Sequence, residues 1–338
     1  MWEGAGVSPG CLGKFACWLG SVALVIHAII AALFHRIADD TYKMFDDFIS
    51  FDIAVNGVRI HGVRTDVHHA RPTILLLHGY PQSHMIWHRV APQLARTFNV
   101  VATDLRGYGA SEKPAGVPDH SNYSKREMAR DQIEVMRALG VDRFFVCAHD
   151  RGARVAHRMA MDHPKAVKKL MLLDVSPTLA MYEQTSMEFA RGYWWWFFLI
   201  QPAPFPEKLI TAAPEVYLKK KIGYSFAGLA PFSDEAYASY LANVSDFATV
   251  HGMCEDYRAS ATIDLEHDRA DRAAGRFMEM PVRALWGEHG IVHRCFKPLD
   301  DWARVAREVS GGTVPGGHYI PEELPHVLVQ EIRAFFDH

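Results

Sequence analysis

Neither sign of charge dominates this chain: 36 Lys and Arg stand against 39 Asp and Glu, a formal net charge of -3 over 338 residues. No run of Lys and Arg resembles a phosphate-tracking surface, so no nucleic acid partner is expected and any anion binding must be local. Cysteine is scarce and scattered. Cys11, Cys17, Cys147, Cys254 and Cys295 are odd in number, and no pair has a metal-ligand spacing. A disulfide framework is not expected, and reduced thiols suit a cytoplasmic catalytic domain. Histidine is plentiful, but most residues stand alone, and His68-His69 reads as polar loop rather than metal site. Internal repeats and low-complexity tracts are lacking.

Residues 15–34, FACWLGSVALVIHAIIAALF, carry no formal charge and are long enough to cross a bilayer. Lys14 on one side and His35-Arg36 on the other leave the orientation open. No clean small-x-small cleavage site precedes Asp39-Asp40, which argues against a removed signal. Met44 then opens MFDDFIS, a start suited to a soluble enzyme. Residues 1–43 are therefore expected to stand apart from the catalytic fold. They read either as a membrane contact through 15–34 or as residues upstream of the true start.

What the rest contains is a globular pattern, with 49% apolar and 22% charged residues. FDIAVNGVRIHGVR reads as two strands joined at Asn56-Gly57, a hairpin signal. PTILLLHG, NVVATDLRG, RFFVCAHDRG, KKLMLLDV and PVRALWG are short apolar runs that each end in polar residues, as strands buried on both faces do. Amphipathic stretches lie between them. SKREMARDQIEVMRALG has a Ser124 cap and stops at Gly140. This alternation predicts an α/β fold, a mostly parallel sheet with helices on both faces, over 44–175 and 263–338. Residues 176–262, rich in aromatics and Met, break the alternation and predict a helical cap over the strand ends.

Chemistry concentrates after those strands. In Ala148-His149-Asp150-Arg151-Gly152, small residues flank the centre at two places either side, between a strand and a helix. That is a nucleophile elbow carrying Asp where esterases carry Ser. A carboxylate is already ionised at neutral pH and can attack a saturated carbon directly, becoming an ester. A histidine is then free to activate water against it. His318, in Gly316-Gly317-His318-Tyr319-Ile320-Pro321, has the position and chain order for that base. The turn His78-Gly79-Tyr80-Pro81 can aim the Tyr80 N–H at the elbow, where it and the Arg151 N–H would form an oxyanion hole. Asp174, after KLMLL, is the preferred partner for His318, with Glu288 a second option; Asp104 reads as structural. Arg151 and Arg154 share a face of the first helical turn, where cations oppose the macrodipole. Two guanidinium forks placed there suit a substrate carboxylate.

HGYPQSHMIWHRVAP, DLRGYGAS, HDRGARV, LDVSPT, the QPAPFPEKLI region, CEDYRA and GGHYIPEE together resemble the haloacetate and fluoroacetate dehalogenases of the α/β-hydrolase superfamily, from about residue 50 to the C-terminus. The resemblance implies a hydrolytic dehalogenase that converts a small 2-haloacid to the 2-hydroxy acid. Asp150 would be its nucleophile, His318 its base and Asp174 the acid. Arg151 and Arg154 would bind the substrate carboxylate. It further implies halide donors at Trp196 and Tyr240, a homodimer, and no metal or organic cofactor. A third halide donor departs from the pattern, because fluoroacetate-cleaving members carry His where this chain has Trp195. An indole N–H is bulkier and never charged, so chloride and bromide should leave more readily than fluoride. Epoxide hydrolases share the elbow and the distal His, and use two cap tyrosines as acids; Tyr240 with Tyr193 or Tyr224 would serve that reading. A non-catalytic, membrane-tethered binding protein is the remaining alternative.

Overall fold

Each of the five apolar runs is a strand in the computed structural model, which describes Met1 and residues 44–68, 70–223 and 225–337. The apolar segment 15–34, His69 and Tyr224 lie outside the described residues. Among the described residues no helix is long and apolar enough to cross a membrane. The strands are β1 Ile49–Val55, β2 Val58–Arg64, β3 Thr73–Leu77, β4 Asn99–Thr103, β5 Phe144–His149, β6 Val167–Leu173, β7 Val282–Gly287 and β8 Val309–Val314. They form one sheet in the order β1-β2-β4-β3-β5-β6-β7-β8. From β4 to β8 every pairing is parallel, whereas β1 and β2 pair antiparallel. Their turn is at Asn56 and Gly57, both with positive φ, as a two-residue hairpin requires.

Alternation within the buried strands fills two cores. Leu75, Leu77, Val146, Leu170 and Leu172 pack on one side, against the helices Lys125–Ala138 and Arg151–Asp162 and the cap. Ile74, Leu76, Cys147, Met171 and Leu173 pack on the other, against the C-terminal helix Pro325–Phe336. The Ser124 hydroxyl accepts from Glu127 N, which caps the helix at its expected start. The strand β8 is absent from the sequence reading. VSGGTV is partly exposed and carries two glycines, so an edge strand there gives no continuous apolar signal.

Between β6 and β7 the described chain forms helices only, from Thr178 to Ala273. The sheet order places β3 between β4 and β5, with Leu77 paired to Ala148. The segments leaving β3 and β5 therefore run side by side at the carboxyl edge, where open parallel sheets bind ligands. Asp174 follows β6 on the same edge, and His318 follows β8.

Candidate active site

Asp150 joins β5 to its helix with φ +46° and ψ -110°, a conformation that costs a non-glycine residue of order 1–3 kcal/mol. The surroundings enforce it. Gly152 N donates to His78 O at 2.8 Å, and a Cβ on Gly152 would stand 2.4 Å from that same oxygen. A Cβ on Gly79 would approach the Asp150 Cβ to 2.6 Å. Only glycine at both places lets the two turns touch. As a result Tyr80 N donates to Asp150 Oδ2 at 3.1 Å. Burial opposes ionisation of this carboxyl, but His318, His149 and Arg151 outweigh it and hold its pKa well below the usual range. Asp150 is a carboxylate.

His318 faces it. Its Nδ1 donates to Asp174 Oδ2 at 2.6 Å, which fixes the tautomer and turns Nε2 toward Asp150. That Nε2 is buried, lies 3.9 Å from Asp150 Oδ2 and has no hydrogen-bond partner. Gly287 N donates to the other Asp174 oxygen at 3.0 Å, so both of its oxygens are engaged. Glu288, the second option for this place, is exposed and stands against His289 at 3.3 Å. Burial lowers the His318 pKa, but Asp150 and Asp174 more than offset it and raise it above the ordinary value. Asp104 accepts from His84 N at 2.7 Å and Ala110 N at 2.8 Å, tying two loops together in the structural place expected of it.

The two arginines differ in a way their spacing did not reveal. Arg151 is wholly buried, and its Nε and Nη2 grip the Asp256 carboxylate at 2.9 and 2.8 Å. Only Nη1 lacks a partner. Arg154 has no carboxylate partner among the described residues. Its Nη1 reaches Thr178 Oγ1 at 2.9 Å, its guanidinium lies 4.6 Å from the Trp196 ring centroid, and Nε is unbonded. Burial and the neighbouring Arg151 pull its pKa down. A buried cation without a counter-ion is costly, so a bound anion would be strongly favoured there.

Of the aromatic residues expected to donate to halide, Trp196 is fully buried with its Nε1 unbonded. Trp195 instead turns its ring toward Lys221, whose Nζ is 3.9 Å from the ring centroid. The expectation for Tyr240 is corrected: its hydroxyl donates to Glu322 Oε1 at 2.5 Å, which removes it as a free donor. Tyr257 fits that place better. It is fully buried, its hydroxyl has no partner, and its ring packs beneath the Arg151 guanidinium at 4.0 Å. The signal was present in CEDYRA, where Tyr257 follows the Asp256 that holds Arg151. Tyr193, one of the acids an epoxide route could use, donates its hydroxyl to Asp174 Oδ2 at 3.5 Å, while its oxygen lies 3.1 Å from His318 Nδ1.

An ionised carboxylate at a strained elbow, faced by a carboxylate-held histidine, can open a bond at saturated carbon and then hydrolyse the ester. A family model described as the alpha/beta hydrolase fold matches residues 72–241. Fluoroacetate dehalogenase from Burkholderia sp is 43% identical over 293 residues, covering 86% of this chain and 95% of that protein. The chain belongs to the haloacetate and fluoroacetate dehalogenase family. An α/β-hydrolase crystal structure from Nostoc sp PCC 7120 matches this dehalogenase with a TM-score of 0.83 and 51% identity, over 87% of this chain and all of that one. Soluble epoxide hydrolase from Corynebacterium sp. (strain C12) is more distant from the dehalogenase, at 32% identity over 83% of this chain and 95% of that protein.

Proposed function

We propose that this enzyme hydrolyses small 2-haloacids, haloacetates among them, to the 2-hydroxy acid and halide through an ester on Asp150. The observation that carries this reading is the ionised Asp150 beside Arg154, a buried cation with no ion-paired carboxylate among the described residues. The substrate carboxylate supplies the counter-ion, assisted by the open Arg151 Nη1, and brings C2 to Asp150. Tyr80 N holds Oδ2, so Oδ1 is the oxygen that attacks C2 as the halide leaves with the bonding pair. Trp196 Nε1 and the Tyr257 hydroxyl are the unbonded donors available to the departing halide.

Ester formation removes the negative charge of Asp150. One of the two carboxylates that raise the His318 pKa is thereby lost, so His318 becomes a neutral base at the step that needs one. It takes a proton from water as the hydroxide oxygen adds to Cγ of Asp150. Oδ2 then carries the negative charge, against Tyr80 N–H and the Arg151 N–H. Collapse breaks the Cγ–Oδ1 bond, and the hydroxy acid leaves with Oδ1 and takes the proton back from His318. The proton of the hydroxyl added to Cγ is released to solvent, which restores the Asp150 carboxylate.

Single turnover in oxygen-18 water tests the route: the label should enter Asp150, and label found only in the product would overturn it. A charge-dependent substrate effect is also expected. Arg154→Met should lower kcat/KM on chloroacetate by about 10–100-fold, the worth of a charge-assisted hydrogen bond, while chloroacetamide hydrolysis changes far less. Equal losses on both substrates would show that Arg154 does not bind the carboxylate. The leaving group gives a third expectation. With Trp195 turned to Lys221, one strong donor fewer faces the halide, so turnover should be faster on chloroacetate than on fluoroacetate. Comparable rates would refute that preference. Of the tyrosines an epoxide route would use as acids, Tyr193 and Tyr240 each direct their hydroxyl to a carboxylate, and Tyr224 lies outside the described residues.

A further inference from the structure

A cavity of about 480 Å³ opens over the outer side of His318. Asp150, Arg151, Arg154 and Trp196 do not line it, so it is a chamber in front of the reacting groups rather than the place where they meet. Its wall is one-sided in charge. Arg191, Lys220, Lys221 and Arg294 contribute to it together with His289 and His318, and no Asp or Glu does. Arg294 is already joined to Glu188 at 2.9 Å, whereas Arg191 is exposed on the rim.

Lys221 is the unusual member. It is almost wholly buried, yet no carboxylate forms an ion pair with it among the described residues. Its Nζ donates to the Tyr319 hydroxyl at 2.6 Å and lies 3.9 Å from the Trp195 ring centroid. An ammonium has three N–H groups, so two remain without a hydrogen-bond acceptor among the described residues. Burial pulls its pKa down to about 7 against the more distant pull of Asp150 and Asp174. An anion beside it would restore a full charge there and satisfy a remaining N–H. Two of the residues that surround Nζ, Trp195 and Tyr319, also border the chamber.

We propose that this chamber is an anion vestibule, in which Lys221 captures small monovalent anions on their way to and from Asp150. Under the function proposed above, on which this rests for its catalytic meaning, the incoming anion is the haloacid carboxylate and the outgoing one is halide. A chamber lined by one sign of charge raises the local concentration of the opposite sign, and salt weakens the effect. Trp195, with its ring under the ammonium, is the built-in reporter of occupancy.

Bromide titration followed by tryptophan fluorescence tests the site without turnover, since a heavy halide beside an indole quenches it. The full-length enzyme should show a saturable quenching component that is lost in Lys221→Met, kept in Lys221→Arg and absent in Trp195→Phe. It is separate from any quenching of Trp196 by halide beside Asp150, which these variants leave in place. Kinetics give an independent reading. Lys221→Met should lower kcat/KM on chloroacetate by about tenfold at low ionic strength, with a flatter salt dependence, and Lys221→Arg should recover both. Arg191→Glu on the exposed rim should flatten the salt dependence as well, which guards against a folding defect in the buried variant. Saturable quenching unchanged from wild type in Lys221→Met or in Trp195→Phe, or a salt dependence unchanged in both charge variants, would overturn the vestibule. If no haloacid released halide, the proposed function would fall. Lys221-dependent bromide quenching would then still support the anion site.

Discussion

Asp150→Asn is expected to reduce steady-state halide release from chloroacetate by at least about 10⁴-fold, the scale on which removal of a nucleophile or its direct activator acts. The amide nitrogen and oxygen can occupy the same turn, and Tyr80 N still has an oxygen to meet, so the fold should hold. What disappears is the negative charge that attacks C2. Mass spectrometry of the variant after exposure to chloroacetate should show no added carboxymethyl mass. Retention of more than a small fraction of wild-type turnover would remove Asp150 from the reaction. The variant should also be less stable than the wild type at neutral pH, because the interactions with His318, His149 and Arg151 that outweigh the burial cost of the carboxylate are lost.

His318→Asn should separate the two halves of the reaction. Alkylation of Asp150 needs no base, so one equivalent of halide should appear per active site. Hydrolysis of the ester does need one, and turnover after that burst should fall by about 10³–10⁴-fold. The covalent ester should then be visible on intact protein as a stable mass increase, located at Asp150 after digestion. A burst of zero would place His318 in the first step and contradict the division of labour. The sign of the wild-type pH dependence follows from the same division. Asp150 stays ionised far into acid, because its pKa is held well below the usual range. The halide burst should therefore be flat across the neutral range. Steady-state turnover should instead decline as pH falls, because protonated His318 cannot accept a proton from water. A burst that declined in parallel with turnover would refute this assignment.

Much of the catalytic edge was legible before any coordinates. The elbow was readable because its small residues and its position between an apolar strand and a helix are local in sequence. His318 was readable because chain order restricts which late glycine-rich turn can hold the base. Asp174 and Glu288 could be ranked but not decided, since both follow strands and only the path of the His318 loop brings Nδ1 within 2.6 Å of one of them. The cap was harder. Its many aromatic residues all suit a buried helix, and nothing in their spacing says which hydroxyl remains unbonded. Tyr240 was preferred, yet Glu322, from the turn after His318, takes its hydroxyl.

Local pattern along the chain specified seven of the eight strands, the strained turn and the kind of oxygen that turn presents. Those features follow from runs of apolar residues, from the steric size of Ala148 and Gly152, and from the identity of one side chain. Tertiary structure alone decided which charges are neutralised and which stay open. Asp256 closes on Arg151 from 105 positions away along the chain, while Arg154, three residues on, receives no such partner among the described residues. Charge compensation depends on distance in space, and a linear pattern carries no measure of that distance for side chains brought together by a cap.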